Sequence, residues 1–319
     1  MRTRVVVVGG GTGTFTVLSG LKRYPLDLTA VVAMADDGGS TGVLRDELGV
    51  LPPGDIRQCL VALSESDELM RTLMNYRFEK GGLRGHSFGN ILLASLEKIT
   101  GSFESAVEKA SEILRIEGRV IPATLANVAL VAELGHRRIK GQHKIQNSNL
   151  KGLTRLSLTP AARANPKAIE AILKAHLIVI GPGDFYSSII PNLLVRGIPE
   201  AIRASKARAV YIANLMTQPG QTDNFSIRDF ERILAKYLGG NIERIIYNNR
   251  QPDSSLTHRY AREGELYVVP EKNLPPHRYI GANLISRKFP DSHRGDPLKR
   301  TLIRHDPYKL AKLLMQNLP

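Results

Sequence analysis

Val5-Val6-Val7-Val8-Gly9-Gly10-Gly11-Thr12-Gly13-Thr14 decides the fold class. A β-branched run feeding directly into glycines reads as a buried parallel strand that ends where the backbone turns sharply and approaches something closely. A second apolar run ends in Asp36-Asp37-Gly38-Gly39-Ser40-Thr41-Gly42. Two glycine-rich loops on one edge of a sheet point to phosphate, because bare N–H groups at a helix start carry partial positive charge. The hydroxyls of Thr12, Thr14, Ser40 and Thr41 add short donors. Named phosphate motifs fit poorly: Thr14 stands where a dinucleotide fingerprint started at Gly9 would place its third glycine, and no Gly-Lys-Ser/Thr ending follows.

Working outward, strand and helix patterns alternate. Helical spacing runs from Phe15 to Tyr24, a strand from Thr29 to Ala35, and helices over Ile56 to Leu63, Asp67 to Met74, Asn90 to Ile99 and Phe103 to Leu114. Residues 122–160 read as an antiparallel excursion, with a hairpin of Asn127 to Leu134 and Arg137 to His143 and a third strand near Thr154 to Leu158. The α/β rhythm resumes with a helix at Asn165-Pro166, strands Leu177 to Ile180, Ala209 to Ala213 and Arg244 to Tyr247, and a helix Arg228 to Leu238. Residues 251–305 read as irregular, either a lid or irregular packing, and 306–316 as a terminal helix opened by Asp306-Pro307. The expected architecture is a single α/β domain over 1–319, Rossmann-like and doubly wound around a mostly parallel sheet.

Composition narrows the function classes. The single cysteine, Cys59, excludes an intramolecular disulfide and reads as a packing residue on a helix face. No stretch approaches the roughly 18 apolar residues of a membrane span, so a cytoplasmic protein is expected. The net charge of +14 calls for an anionic partner. Its basic residues are dispersed, including Arg137, Arg138 and the tail from Arg287 to Arg304. No nucleic-acid-binding motif accompanies them, so a small phosphorylated ligand is expected before RNA or DNA.

In an open parallel sheet the carboxyl ends of the strands line the ligand crevice, so the loops after Val8, Ala35, Ile180 and Ala213 converge. Asp36 and Asp37 point to opposite sides, so one faces the crevice as a Mg²⁺ ligand while the other braces a loop; capping by both is the alternative. Asp55, in Pro52-Pro53-Gly54-Asp55, joins them as a metal-ligand candidate and also reads as a helix N-cap. Arg57 opposes its helix dipole unless an anion sits beside it, either a ligand or Asp55 or Glu65. His86 reads either as a general acid or base or as a hydrogen-bonding spacer. Gly10, Gly11, Thr12, Gly13, Ser40, Thr41, Gly183, Ser187 and Arg304 are candidate phosphate or nucleotide contacts, with Asn214, Thr217 and Gln218 suited to a base or sugar edge.

Several long stretches, in order, resemble one family. Gly-Gly-Gly-Thr-Gly, Met34 to Gly42, Pro52 to Arg57, Gly181-Pro182-Gly183, Ser188 to Leu194 and Asn214 to Gly220, with Arg304-His305-Asp306 before the last helix, are similar to the bacterial gluconeogenesis-factor proteins (YvcK-like). That group sits with the CofD-like 2-phospho-L-lactate transferases. Three positions depart from the family pattern: Val43 for Arg, Asp184 for Ser and Gln221 for Glu.

The resemblance implies a UDP-sugar-binding regulator acting in carbon metabolism and cell shape. Its alternative is a Mg²⁺-dependent transferase that moves a phospholactyl-type group from a nucleoside diphosphate donor to a deazaflavin alcohol, with Asp37 or His86 as base. Mg²⁺ is expected only with ligand, no tightly bound cofactor is expected, and a homo-oligomer is compatible.

Overall fold

The computed structural model describes residues 2–287 and 302–318. In chain order it comprises β1 (Thr3–Gly9), α1 (Gly11–Leu21), β2 (Leu26–Val32), α2 (Gly39–Leu48), α3 (Gly54–Leu63), α4 (Glu68–Asn75), α5 (Phe88–Thr100), α6 (Phe103–Ile113), β3 (Arg119–Pro122), β4 (Ala129–Leu134), β5 (Arg137–Lys140), α7 (Gln142–Gln146) and β6 (Arg155–Thr159). There follow α8 (Pro166–Leu173), β7 (Leu177–Ile180), a π-helical turn (Phe185–Ile189), α9 (Ile190–Leu193), α10 (Ile198–Ala204), β8 (Arg208–Ile212), α11 (Ile227–Leu238), β9 (Arg244–Asn248), α12 (Ser254–Arg262), β10 (Tyr279–Ala282) and α13 (Pro307–Gln316).

Seven strands form one sheet in the order β10-β9-β8-β7-β1-β2-β3, every pairing parallel. The chain moves outward from β1 to β3, then restarts beside β1 at β7 and moves the other way. The order therefore reverses between β1 and β7, the place where such sheets bind ligands. The opening valines show why both faces are covered. Val5 and Val7 join the core with α1, α3 and α13, whereas Val6 and Val8 join the one shared with α8, α11 and the small sheet. That small sheet, β5-β4-β6, is antiparallel and is the expected excursion.

Several boundaries differ from the sequence reading. Strand β2 stops at Val32 rather than Ala35 because its ladder partner β1 ends at Gly9, opposite Val32. Helix α1 begins at Gly11, four residues before the apolar periodicity, since the glycine loop is itself the first turn. Pro122 closes the edge strand β3, which pairs with β2, and α7 occupies the end of the second hairpin arm. Helix α2 had no sequence signal beyond its loop; its first turn is Gly-Ser-Thr-Gly, and packing against α5 holds it.

The region read as irregular, 251–305, contains α12 and β10, the latter extending the sheet by parallel pairing with β9. Part of that region, and of the basic tail read from Arg287 to Arg304, lies outside the described residues. Cys59 is fully buried, and its thiol is pushed up by desolvation. Among the described residues no helix is long and apolar enough to cross a membrane.

Candidate functional site

At the reversal point the β1 and β7 loops meet backbone to backbone. The chain leaves β1 extended at Gly10 and turns at Gly11 with φ +63°, a left-handed conformation that glycine adopts without strain. Thr14 Oγ1 then donates to Gly10 O at 3.2 Å. A Cβ on Gly13 would overlap the carbonyl of Pro182, so α1 docks on the β7 loop only because residue 13 has no side chain. Asn192 Nδ2 donates to Gly9 O at 3.2 Å, and Asn214 Nδ2 to Gly183 O at 2.8 Å. Asn214 thus braces the glycine loop of the neighbouring strand. Asn192, which the sequence reading did not select, holds the other loop; it lies inside the Ser188 to Leu194 motif.

The two adjacent aspartates lie beyond the end of β2 and take different partners. Asp37 Oδ1 accepts from the His143 backbone N–H at 2.8 Å, which caps the first turn of α7. Asp36 Oδ1 accepts from Gly38 N at 3.0 Å and stands within electrostatic reach of Asp55. Asp55 accepts a hydrogen bond from the Gly11 backbone. The structure brings Asp36 and Asp55 together and turns Asp37 away. Among the described residues no group of three His, Cys, Asp or Glu side chains is arranged to hold a metal. Asp55 is also no cap: Pro53 occupies the N-cap position of α3, without a side-chain bond.

Burial, then repulsion by Asp36, raises the Asp55 carboxyl to about 8. Burial also raises Asp36, against the hydrogen bonds from Gly38 and Thr41. A pair of carboxylates held this way fits a divalent ion whose remaining ligands are phosphate oxygens and water, which is how Mg²⁺ is commonly bound beside nucleotides.

Arg57 is buried in the wall of the site. Its Nε donates to Asn90 Oδ1 at 3.0 Å, and its Nη1 to Asn75 Oδ1 at 2.6 Å and to Met74 O at 3.3 Å. Its charge lowers both Asp36 and Asp55 through space. Glu65, the other expected partner, pairs with Lys22 instead. Asn90, read as a cap candidate, is an internal hub: its Nδ2 reaches Ser40 Oγ at 3.2 Å and Thr41 Oγ1 at 3.5 Å. His86 Nδ1 lies 3.1 Å from Ser40 Oγ. His86, Ser40, Asn90 and Arg57 are one connected chain of polar contacts.

The β7 and β8 loops hold the remaining candidates. Burial raises the Asp184 carboxyl, while the Ser187 hydroxyl and the Gln146 amide beside it pull the other way. Gln218 and Gln221 donate to the carbonyl of Gln146, so α7 is held by Asp37, by Asp184 and by the β8 loop. Thr217 is buried and tied to a distant segment: its N donates to Leu266 O at 2.7 Å, and its Oγ1 accepts from Leu266 N at 2.9 Å. Thr12 is solvent-exposed at the mouth of the first loop. Arg304 lies on the segment before α13, where its carbonyl accepts from Ser286 N at 2.9 Å. His305 beside it is buried against the backbone of Ala213, at the end of β8, and its Nε2 has no hydrogen-bond partner.

The chain is similar to known proteins over nearly its whole length. The sequence profile described as 2-phospho-L-lactate transferase CofD matches residues 5–289. A putative gluconeogenesis factor of Nostoc sp. is 42% identical, covering 98% of this chain and 68% of its own. The gluconeogenesis factor of Bacillus subtilis is 39% identical over 98% of both. A crystal structure of a Bacillus halodurans protein superposes with a TM-score of 0.90 at 38% identity, covering 99% of this chain and all of the other. With a family match over residues 5–289 and relatives about 40% identical along nearly its whole length, the chain belongs to the CofD family, among its gluconeogenesis factors.

Proposed function

We propose that this protein is a cytoplasmic nucleotide-sugar-binding regulator of carbon metabolism and cell shape, with the pyrophosphate seated between the β1 and β7 loops. The observation that carries the reading is the flush contact of Gly13 with Pro182 at the reversal point. It sets the starts of α1 and α2, whose N-cap residues are glycines without a capping side chain, beside a crevice containing Asp36 and Asp55. The names of the relatives support the metabolic part.

A hundredfold excess of UDP-glucose over its Kd is expected to stabilise the fold by about 2.7 kcal/mol, read as a raised Tm. No shift with UDP-glucose, UDP-N-acetylglucosamine or GDP-linked sugars would sink the idea. Arg57→Met is expected to weaken UDP-glucose at least about tenfold, because a buried cation that organises a phosphate site contributes roughly 1.5 to 3 kcal/mol. Replacing Arg137 and Arg138, exposed on β5, is expected to change little. A nucleic-acid protein would give the reverse ranking and a steep loss of affinity with salt.

Mg²⁺ is expected to tighten nucleotide binding in the parent and in Asp37→Asn, and to have no effect in Asp36→Asn. Equal Mg²⁺ dependence in all three would remove Asp36 from the ion. The second reading, transfer to an alcohol acceptor, draws on Asp55, since a carboxyl held near 8 exchanges protons at neutral pH. Release of nucleoside monophosphate from a donor, followed by phosphorus NMR, distinguishes turnover from binding alone.

A further inference from the structure

The polar chain in the wall of the site has a direction, and Arg57 sets it. A guanidinium only donates, so the Asn90 side-chain atom 3.0 Å from Arg57 Nε is the amide oxygen. The amide nitrogen therefore faces the other way, 3.2 Å from Ser40 Oγ and 3.5 Å from Thr41 Oγ1. Two features hold the amide in this position. Asn90 lies in the first turn of α5, where its backbone N–H donates to the capping hydroxyl of Ser87 at 3.3 Å. A Cβ on Gly89 would overlap Arg57 Cδ and Met74 O, so Arg57 packs along α5 to reach Asn90 only because residue 89 has no side chain.

The direction carries on through Ser40. This serine is buried, and its Oγ has two side-chain partners: Asn90 Nδ2, which can only donate, and His86 Nδ1 at 3.1 Å. A buried hydroxyl gives its own proton to an acceptor, and of these two partners only Nδ1 can accept. The lone pair of His86 Nδ1 is thereby used. In the neutral ring the proton then sits on Nε2, because the bond made at one ring nitrogen sets the state of the other.

We propose that Asn90 is a positioning residue that fixes His86, through Ser40, as the Nε2–H tautomer. Held this way, the neutral imidazole has no lone pair left to take a proton. His86 is then a hydrogen-bond donor of the site and not the base of an alcohol transfer, a role that passes to a carboxylate. The use of that donor by a ligand rests on the nucleotide-sugar reading, whereas the tautomer itself is read without ligand.

The test is nitrogen NMR of the labelled histidine rings in the full chain at about pH 9, where an ordinary histidine is neutral. The His86 signal is the one lost in His86→Gln. The parent is expected to show Nε2 protonated and Nδ1 bare. Asn90→Asp keeps the size and the acceptor for Arg57 Nε, but turns a second acceptor toward Ser40. The Ser40 proton then goes to the aspartate and its oxygen accepts from the imidazole. His86 is expected to move toward the Nδ1–H tautomer, with a change of about tenfold in the tautomer ratio for one hydrogen bond reversed. In a Ser40→Ala background the same Asn90→Asp substitution is expected to change nothing, since the link is gone. A merely structural role for Asn90 would not make its effect depend on Ser40.

A parent with Nδ1 protonated overturns the proposal without any variant, and so does a folded Asn90→Asp that keeps Nε2–H. UDP-glucose calorimetry on the parent separates this failure from that of the nucleotide-sugar reading. If the tautomer switches while UDP-glucose does not bind, the nucleotide-sugar reading fails and the role of Asn90 stands. If UDP-glucose binds while the tautomer ignores Asn90→Asp, the reading stands and the role of Asn90 is overturned.

Discussion

Gly13→Ala is expected to lower stability by about 1 to 3 kcal/mol or more, as overpacking a close-packed interface does, and to reduce nucleotide affinity at least about tenfold. The added Cβ meets the carbonyl of Pro182, a backbone atom, so no side-chain rotation relieves the overlap. Either α1 lifts away or the β7 loop retreats, and both motions separate the loops that would grip the ligand. The measurement is thermal unfolding together with UDP-glucose calorimetry. Gly82→Ala is the control, because nothing lies within 4 Å of a Cβ there, and its Tm should be unchanged. Equal Tm and affinity in both variants would show that the contact between α1 and the β7 loop matters neither to the fold nor to binding.

Acid is expected to weaken the fold through His305. Burial lowers this histidine from its usual 6.5 to about 4, against the raising effect of its hydrogen bond to Ala213. A group whose folded pKa is depressed contributes stability that is fully present above its unfolded value and is lost as pH falls through the folded one. The loss therefore begins near pH 6.5 and grows by about 1.4 kcal/mol with each further drop of one in pH, reaching about 3 kcal/mol at pH 4.

His305→Gln keeps a polar side chain but cannot take up a proton, so its stability should stay flatter across that window. Chemical denaturation at pH 7, 6, 5 and 4 reads the difference between the two proteins, in which the carboxylates common to both cancel. Parallel pH profiles would mean that His305 is solvated or already charged. The segment carrying it bridges Ile285 and caps α13 through Asp306, so the same protonation should expose the end of β8 first.

Much of this architecture was legible from local chemistry. Alternating valines before glycines specify a buried parallel strand. Asn165-Pro166 and Asp306-Pro307 open helices because an acceptor side chain and a fixed φ suit a first turn, and both N-caps bond as expected. Gly135-His136 between alternating strands produced the hairpin of β4 and β5. The glycine loops, with the order of the motifs, were enough to identify the family.

What only the tertiary structure decided is the direction of each polar side chain around those loops. Asp36 and Asp37 are indistinguishable by local sequence. They separate because the His143 amide, 106 residues on, arrives opposite Asp37 while Asp55 arrives beside Asp36. Arg57 offered two local anions and took Asn90, Asn75 and a main-chain carbonyl instead, since burial rewards donors satisfied from every side. Thr217 carried no mark that Leu266 would fold back onto it. Strand β10 lacks a periodic signal because four residues on the edge of a sheet are ordered by their partner β9 rather than by their own pattern. Local sequence determines which backbone forms; contacts from distant segments determine which side chains a ligand meets.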